Sequence, residues 1–372
     1  MTAMGSNGPM QAVTFRYRRQ PGEGPVLMVS GFVQGGRSAR ELHPVGDTEV
    51  VARTWELPDD YLGTYLFWVG KEGVEPPEAF EELLPFLYGD AGRPVPDPDN
   101  DDRFVYPVDP EHPGEPFVQS IVRMPASIPE PLAGAPLLGT LAEHRIASAL
   151  LGDERRVWVH ESIGIEPDGP EPALMVVFDG GIYAHLLHTP EQVDALVAAG
   201  EFPPTVTLYC HFADDAARNA ELQCRDDFAA FVADELVPWA AQRWRFTTDP
   251  QRTVVAGSSL GGLGATWMAF THPDRFGNVI AQSPSYWYHP QHPEQTNWLA
   301  ERWPAEGPTS VRCYVEMGDL EQQDDARHFV DVVTRHGNDA TFERYCGGHD
   351  FLAWRSTFPR ALRWTGERIG AR

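Results

Sequence analysis

Apolar residues along the first seventy positions tend to alternate with polar ones. Val13, Phe15 and Tyr17 form one such run, and Val26, Met28, Ser30 and Phe32 a second. Val51, Arg53, Trp55 and Leu57 form a third, with Arg53 as its polar exception, and Tyr61, Gly63, Tyr65, Phe67 and Val69 a fourth. Period-two runs broken by turn residues at short intervals predict a small antiparallel β-sandwich. Asp90 to Pro116 is dense in Pro, Asp and Gly, including Asp97-Pro98-Asp99-Asn100, and Pro125, Pro129 and Pro131 follow, so no regular element is expected there. The domain boundary is placed at about residue 150, dividing an N-terminal sandwich plus linker (1–150) from a second domain (151–372), with Leu137 to Leu151 read as helix or linker.

Beyond that point continuous apolar runs alternate with helical periods. Strands are predicted at Val157–Ser162, Leu174–Asp179, Val206–Phe212, Thr253–Gly257, Val279–Ser283, Val311–Met317 and Ala340–Tyr345. Helices are predicted at Asp226–Arg243, Leu260–Thr271, Gln323–Arg335 and Phe351–Ile369. Alternation of this kind predicts an α/β fold, a doubly wound and mainly parallel sheet covered by helices on both faces.

Composition narrows the partners. Of 372 residues, 29 are Lys or Arg and 54 Asp or Glu, a formal charge of −25, which removes the long-range field that draws nucleic acid or anionic membrane to a protein. No stretch approaches the roughly 20 apolar residues that span a bilayer, and Met1 to Val13 lacks the cationic start and apolar core of a secretory signal, so a cytoplasmic location is expected. The four cysteines, Cys210, Cys224, Cys313 and Cys346, fall in no metal-type pair and are read as reduced thiols; no metal site and no cofactor are expected. Lys71 is the only lysine, so cationic chemistry falls to arginine. Oligomeric state is left open by these patterns.

The sharpest chemical signal is Gly257-Ser258-Ser259-Leu260-Gly261-Gly262, preceded by a strand and followed by a helix. This fits G-x-S-x-G with Ser259 as nucleophile, the flanking glycines letting the chain turn sharply from strand to helix. Ser258 is the competitor, displaced to the strand side. A serine nucleophile needs a base that follows the last strand, and Gly347-Gly348-His349-Asp350 supplies His349, its glycines permitting positive backbone angles. The acid is expected after the penultimate strand, where Glu321 is favoured over Asp319 and Asp324, and a serine–histidine dyad without an acid is the further alternative. The Leu260 amide and the Gly181 amide, from Phe178-Asp179-Gly180-Gly181, are the expected oxyanion-hole donors.

At these residues the C-terminal half resembles the enterochelin (iron-enterobactin) esterases, an esterase-D-like branch of the α/β-hydrolases. The match runs through Arg218-Asn219-Ala220-Glu221-Leu222, Arg252 to Gly257, Ser259 to Leu263, His272-Pro273-Asp274-Arg275-Phe276-Gly277, Gln282 to Trp287 and Gly347 to Asp350 with Trp354-Arg355, while Ser258 departs from the family pattern. The N-terminal alternation is similar, more loosely, to the Ig-like domain such esterases carry. The resemblance implies a ferric catecholate trilactone siderophore as small-molecule substrate, hydrolysed at its esters to release iron, with Arg218 and Trp287 near it. Such a substrate is a trianion with aromatic faces, so Arg355, Tyr286, Trp354 and Tyr183 are added as candidate cationic and ring contacts. A feruloyl or acetyl esterase with a carbohydrate-binding sandwich is the alternative reading.

Overall fold

The computed structural model describes residues 9–108, 113–130, 132–292 and 295–370. Pro131 and the first eight residues, which carry part of the linker and leader readings, lie outside the described residues. The chain divides into two compact units: the first takes in the chain up to Pro129 together with Cys346–Ala353, and the second Glu130–Tyr345 and Trp354–Arg372.

The first unit holds two antiparallel sheets. In one, Val50–Pro58 pairs with Met10–Arg18 and with His43–Pro44; in the other, Leu62–Lys71 pairs with Glu23–Ser30, Gly92–Val95 and Val118–Arg123, the last also pairing Arg103–Val105. Alternation holds in Met10–Arg18, where Phe15 and Tyr17 are buried and their neighbours are not. It fails in Leu62–Lys71, buried at every position but the last because both of its faces are covered. On one face Tyr65 and Phe67 meet Phe15 and Tyr17, with ring centroids 4.9 and 5.5 Å apart; on the other Trp68 packs with Leu27, Leu83 and Phe86. Two short strands, Gly92–Val95 and Arg103–Val105, stand where no regular element was expected. Pro94 is tolerated because its strand pairs on one side only. Asp97 is buried, accepting the Tyr65 hydroxyl at 2.8 Å, so the Asp-Pro-Asp-Asn stretch is a fastened turn rather than a free linker.

The second unit is built on one eight-stranded sheet. Its strands are β1 (Thr140–Ala147), β2 (Glu154–Glu161), β3 (Ala173–Val177), β4 (Thr205–Cys210), β5 (Thr253–Ser258), β6 (Asn278–Gln282), β7 (Arg312–Gly318) and β8 (Asp339–Tyr345). They lie in the order β1-β2-β4-β3-β5-β6-β7-β8, with β1 and β2 antiparallel to their neighbours and β3 to β8 parallel. The sheet is therefore mixed, an α/β-hydrolase-like arrangement. β1 falls in the stretch read as helix or linker, so the division lies at Pro129 rather than near residue 150. As an edge strand it is mostly exposed and carries little apolar signal. The central strands β3, β4, β5 and β6 are buried throughout, and the helix Leu260–Thr271 is buried over ten of its twelve residues. Helix Asp226–Ala230 continues through a π-helical turn, Phe231–Leu236, into Val237–Ala241, over the span where one helix was expected.

Candidate active site

β5 ends at Ser258 and the next helix begins at Leu260, so Ser259 alone makes the reversal, at φ 57° and ψ −124°. A non-glycine residue there is strained by about 1–3 kcal/mol and persists only when its surroundings hold it. They do so from both sides. The Ser259 amide donates to the Gln282 carbonyl at 2.9 Å, and the Ser259 carbonyl accepts from Ser285 N at 3.0 Å and Leu263 N at 3.2 Å. Close approach explains the glycines: a Cβ on Gly257 would stand 2.5 Å from the carbonyl carbon and oxygen of Gly261, and one on Gly262 would lie 3.1 Å from Pro284 Cβ. The Ser259 hydroxyl is 3.5 Å from that of Ser285. Ser258 is 1% exposed inside β5, which removes it as a competitor. The Leu260 amide belongs to the first turn, whose N–H groups have no acceptor within the helix and carry the positive end of its dipole.

The glycine loop after β3 converges on this elbow. Phe178 N donates to Ala256 O at 3.0 Å, and Asp179 turns the chain at φ 55°. Gly180 packs so closely on β4 that a Cβ would stand 2.4 Å from the Tyr209 carbonyl oxygen. Gly181 precedes a π-helical turn, Ile182–Leu186, and a Cβ there would lie 3.2 Å from the Trp158 ring and 3.4 Å from His211 Cε1. The Asp179 carboxylate, 5% exposed, accepts from Arg218 Nε and NH2 at 2.5 and 2.7 Å. Its Oδ2 is also the atom that a Cβ on Gly261 would approach to 3.3 Å, so the half-buried ion pair packs the glycine loop against the elbow. Glu221, the other possible partner of Arg218, bonds Arg155 instead.

The three candidate acids separate by surroundings. Asp324 is exposed at a helix start, and Asp319 is bound by Arg344 at 2.5 Å and by Gln323. Glu321 is half-buried: its Oε1 accepts from Gly318 N at 2.8 Å, Ser283 Oγ at 2.7 Å and the Tyr345 hydroxyl at 3.1 Å. Trp354 Nε1 donates to the same Ser283 oxygen at 3.0 Å. Ser283, at φ 44°, directly follows the residue whose carbonyl holds the Ser259 amide. Burial pushes the Tyr345 hydroxyl pKa well up, and the Glu321 charge adds to the effect, so this phenol stays a proton donor toward Glu321.

His349 lies in the Cys346–Ala353 segment of the first unit. Neither Gly347 nor Gly348 has the positive φ expected of this loop; Gly348 instead serves close approach, since a Cβ there would meet Gly31 Cα at 3.3 Å. Ser30, Gly31, Arg40, Gln119, His349 and Asp350 are among the residues lining a cavity of about 220 Å³ in that unit.

The expected substrate contacts fare unevenly. Trp287 is 56% exposed beside the elbow's Ser285 loop. Tyr286 is a correction: it is 3% exposed, stacked on Phe329 at 4.3 Å, with its hydroxyl 2.8 Å from that of Thr266, so it is a core side chain. Tyr183 is likewise fully buried, donating to Gln282. Arg355 bonds Glu130 at 2.6 Å on the rim of a cavity of about 400 Å³, lined also by His188 and Glu191 but by none of the elbow residues. Trp158, beside Gly181, was not singled out in the sequence, and His211, also beside it, read there only as a histidine ending a strand, without the flanking glycines of a base. His211 directly follows the carboxyl end of β4, where ligands of open α/β sheets gather, and that position was the available signal. Among the described residues no group of three or more His, Cys, Asp or Glu is arranged to hold a metal ion, and no helix is long and apolar enough to cross a membrane.

Comparison with known proteins places this geometry. The iron(III) enterobactin esterase of Dickeya dadantii is 32% identical over 232 residues, covering 58% of this chain and 53% of that protein. The enzyme of the same description from Escherichia coli K12 is 32% identical over 220 residues, 58% of this chain and 54% of its own. The chain thus aligns with about half the length of these curated relatives. The crystal structure of the Shigella flexneri enterobactin esterase in the presence of enterobactin superposes with a TM-score of 0.79 at 25% identity, over 96% of this chain and 93% of that one. The model of the Esterase family, described as "Putative esterase", matches residues 148–365, more than half of the sequence and the whole run from β2 to β8. With its strained serine elbow and glycine loop at the carboxyl ends of β5 and β3, the chain belongs to the Esterase family.

Proposed function

We propose that this protein is a serine carboxylic ester hydrolase that opens a ferric catecholate trilactone siderophore of the enterobactin kind in the cytoplasm. The observation that carries the hydrolase reading is the Ser259 backbone, held at φ 57° by three hydrogen bonds at a strand-to-helix reversal, the geometry of a nucleophile elbow. The substrate class rests on the relatives, whose names give iron(III) enterobactin esterases.

In this reading Ser259 Oγ attacks the ester carbonyl while His349 accepts its proton. The Leu260 and Gly181 amides take the developing oxyanion, and Glu321 orients the imidazole. Collapse expels the alcohol, which receives the proton from the imidazolium. Water then repeats the sequence on the acyl-serine, releasing acid and regenerating the hydroxyl. Iron enters and leaves as cargo of the substrate. Arg218 and Arg355 are each bound to a carboxylate, so a trianion gains from them only what Asp179 and Glu130 leave uncompensated; Trp287, exposed, is the ring available to a catechol face. The first unit is read as an Ig-like sandwich domain, its two antiparallel sheets packed through Phe15, Tyr17, Tyr65 and Phe67.

Two measurements test this. A fluorophosphonate should label the wild type and not Ser259→Ala; equal labelling removes the nucleophile. Product chromatography after incubation with iron-loaded trilactone, iron-free trilactone and methyl ferulate decides the substrate, and rapid ferulate cleavage beside an untouched trilactone overturns the siderophore assignment.

A further inference from the structure

The loop that carries His349 is fastened at both ends to one strand of the first unit. At its start the Cys346 carbonyl accepts from Leu62 N at 3.3 Å, and in its middle Gly348 packs against Gly31. At its far end Asp350, 8% exposed, turns its carboxylate inward: Oδ2 accepts from both the amide and the hydroxyl of Thr64, each at 2.7 Å, and Oδ1 accepts from Leu352 N at 2.8 Å. Thr64 is 6% exposed, and its own carbonyl accepts from Ser30 Oγ at 2.9 Å. A buried carboxylate is costly unless its lone pairs are filled. Here the amide and hydroxyl of Thr64 and the Leu352 and Ala353 amides converge on one that no ion pair in the described structure neutralises. Burial raises the Asp350 pKa, and the Thr64, Leu352 and Ala353 donors work against that rise.

We propose that Asp350 and Thr64 are positioning residues that set where the His349 imidazole stands, so that the first unit's central strand, not only the hydrolase sheet, fixes the general base. This rests on the assignment of His349 as base under the proposed function. The chemistry of the clamp is specific to a carboxylate. An asparagine at 350 must turn its NH2 group either toward the two Thr64 donors or toward Leu352 N, and in both orientations a donor faces a donor. Thr64 is matched to it, because only a hydroxyl-bearing residue gives the same oxygen a second donor beside the backbone N–H.

The test uses the full chain with p-nitrophenyl acetate as probe and compares Thr64→Val, Thr64→Ser and Asp350→Asn with His349→Ala. Displacing a catalytic group by an ångström costs about 100-fold. Thr64→Val and Asp350→Asn are accordingly expected to lower kcat by about 10- to 100-fold with KM within about two-fold. Thr64→Ser, which keeps the hydroxyl, should recover wild-type kcat. The rate of fluorophosphonate labelling should fall in parallel, since it reports activation of the serine without substrate binding. If Thr64→Val and Asp350→Asn keep wild-type kcat while His349→Ala is inactive, the positioning role is wrong and the base assignment survives. If His349→Ala itself retains activity, the parent reading fails. A loss of kcat that tracks only the unfolded fraction, or that Thr64→Ser does not repair, also overturns the inference.

Discussion

Gly257→Ala is the substitution that most directly interrogates the serine elbow. Its Cβ would be placed 2.5 Å from two backbone atoms of Gly261, against 3.4 Å for ordinary contact, and no flexible side chain is there to give way. The strand end and the helix start must then part by about 0.9 Å, a displacement delivered directly to Ser259 and to the Leu260 amide between them. Gly257 has no left-handed backbone to lose, so the whole effect is steric. Overpacking of this kind costs about 1–3 kcal/mol of stability, and a nucleophile moved by nearly an ångström loses about 100-fold in kcat/KM. Gly261→Ala is the internal control. Its Cβ would stop 3.3 Å from a carboxylate oxygen of Asp179, which has to give only slightly, and alanine gains up to about 1 kcal/mol in the helix. Ester hydrolysis, fluorophosphonate labelling and thermal unfolding of both variants make the comparison. Wild-type turnover and stability in Gly257→Ala, or equal damage in both variants, would refute the claim that backbone approach at residue 257 shapes the elbow.

Three further outcomes are expected. Glu321→Gln should lower kcat by about 100-fold or more while Asp319→Asn, which only releases Arg344, changes it by less than about five-fold; equal activity of both variants would leave a serine–histidine dyad. Tyr286→Phe should cost about 1 kcal/mol in urea unfolding through the lost Thr266 hydrogen bond and leave kcat/KM within two-fold, and a large rise in KM would return Tyr286 to the substrate. Asp194, fully buried, accepts the Leu138 and Gly139 amides through Oδ2 at 2.9 and 2.7 Å and has His160 Nε2 3.3 Å from Oδ1, a close approach rather than an aligned hydrogen bond. Burial alone would raise its pKa, but His160 and these amides favour the anion and hold it below the ordinary carboxylate value. The stability it supplies is therefore complete above about pH 4 and lost as pH falls through the folded-state value. Asp194→Asn should lose about 1.5–3 kcal/mol at pH 7 and show a flatter acid limb of Tm against pH; an unchanged limb would remove the linkage.

The serine elbow was legible from the chain because it is local. A strand, a glycine-flanked serine and a helix occupy consecutive residues, and no distant contact is needed to see that the backbone must reverse at 259. The parallel strands β3 to β7, which lie inside the sheet, were legible for a related reason, since burial on both faces favours apolar runs whatever their neighbours. Edge strands lack that mark. Thr140–Ala147 pairs on one side and is mostly exposed, so its period is faint, and Gly92–Val95 is masked by its proline.

Adjacent residues of one motif can point opposite ways, and the chain does not record which. Tyr286 and Trp287 read as one aromatic pair, yet the first stacks on Phe329 and the second is exposed because a helix far along the sequence covers only one of them. The acid was undecided for the same reason: Glu321 accepts from Ser283 and Tyr345, brought to it by the register of three neighbouring strands, while Asp319 is taken by Arg344. Likewise nothing near Gly347-Gly348-His349 announces that Asp350 is held by Thr64, 286 positions earlier. By itself the sequence determined where the backbone must turn and which runs must be buried, because sterics and periodicity act between near neighbours. Only the tertiary structure decided which carboxylate meets which donor, because burial makes an unpaired charge costly and the partner that satisfies it is supplied by the fold.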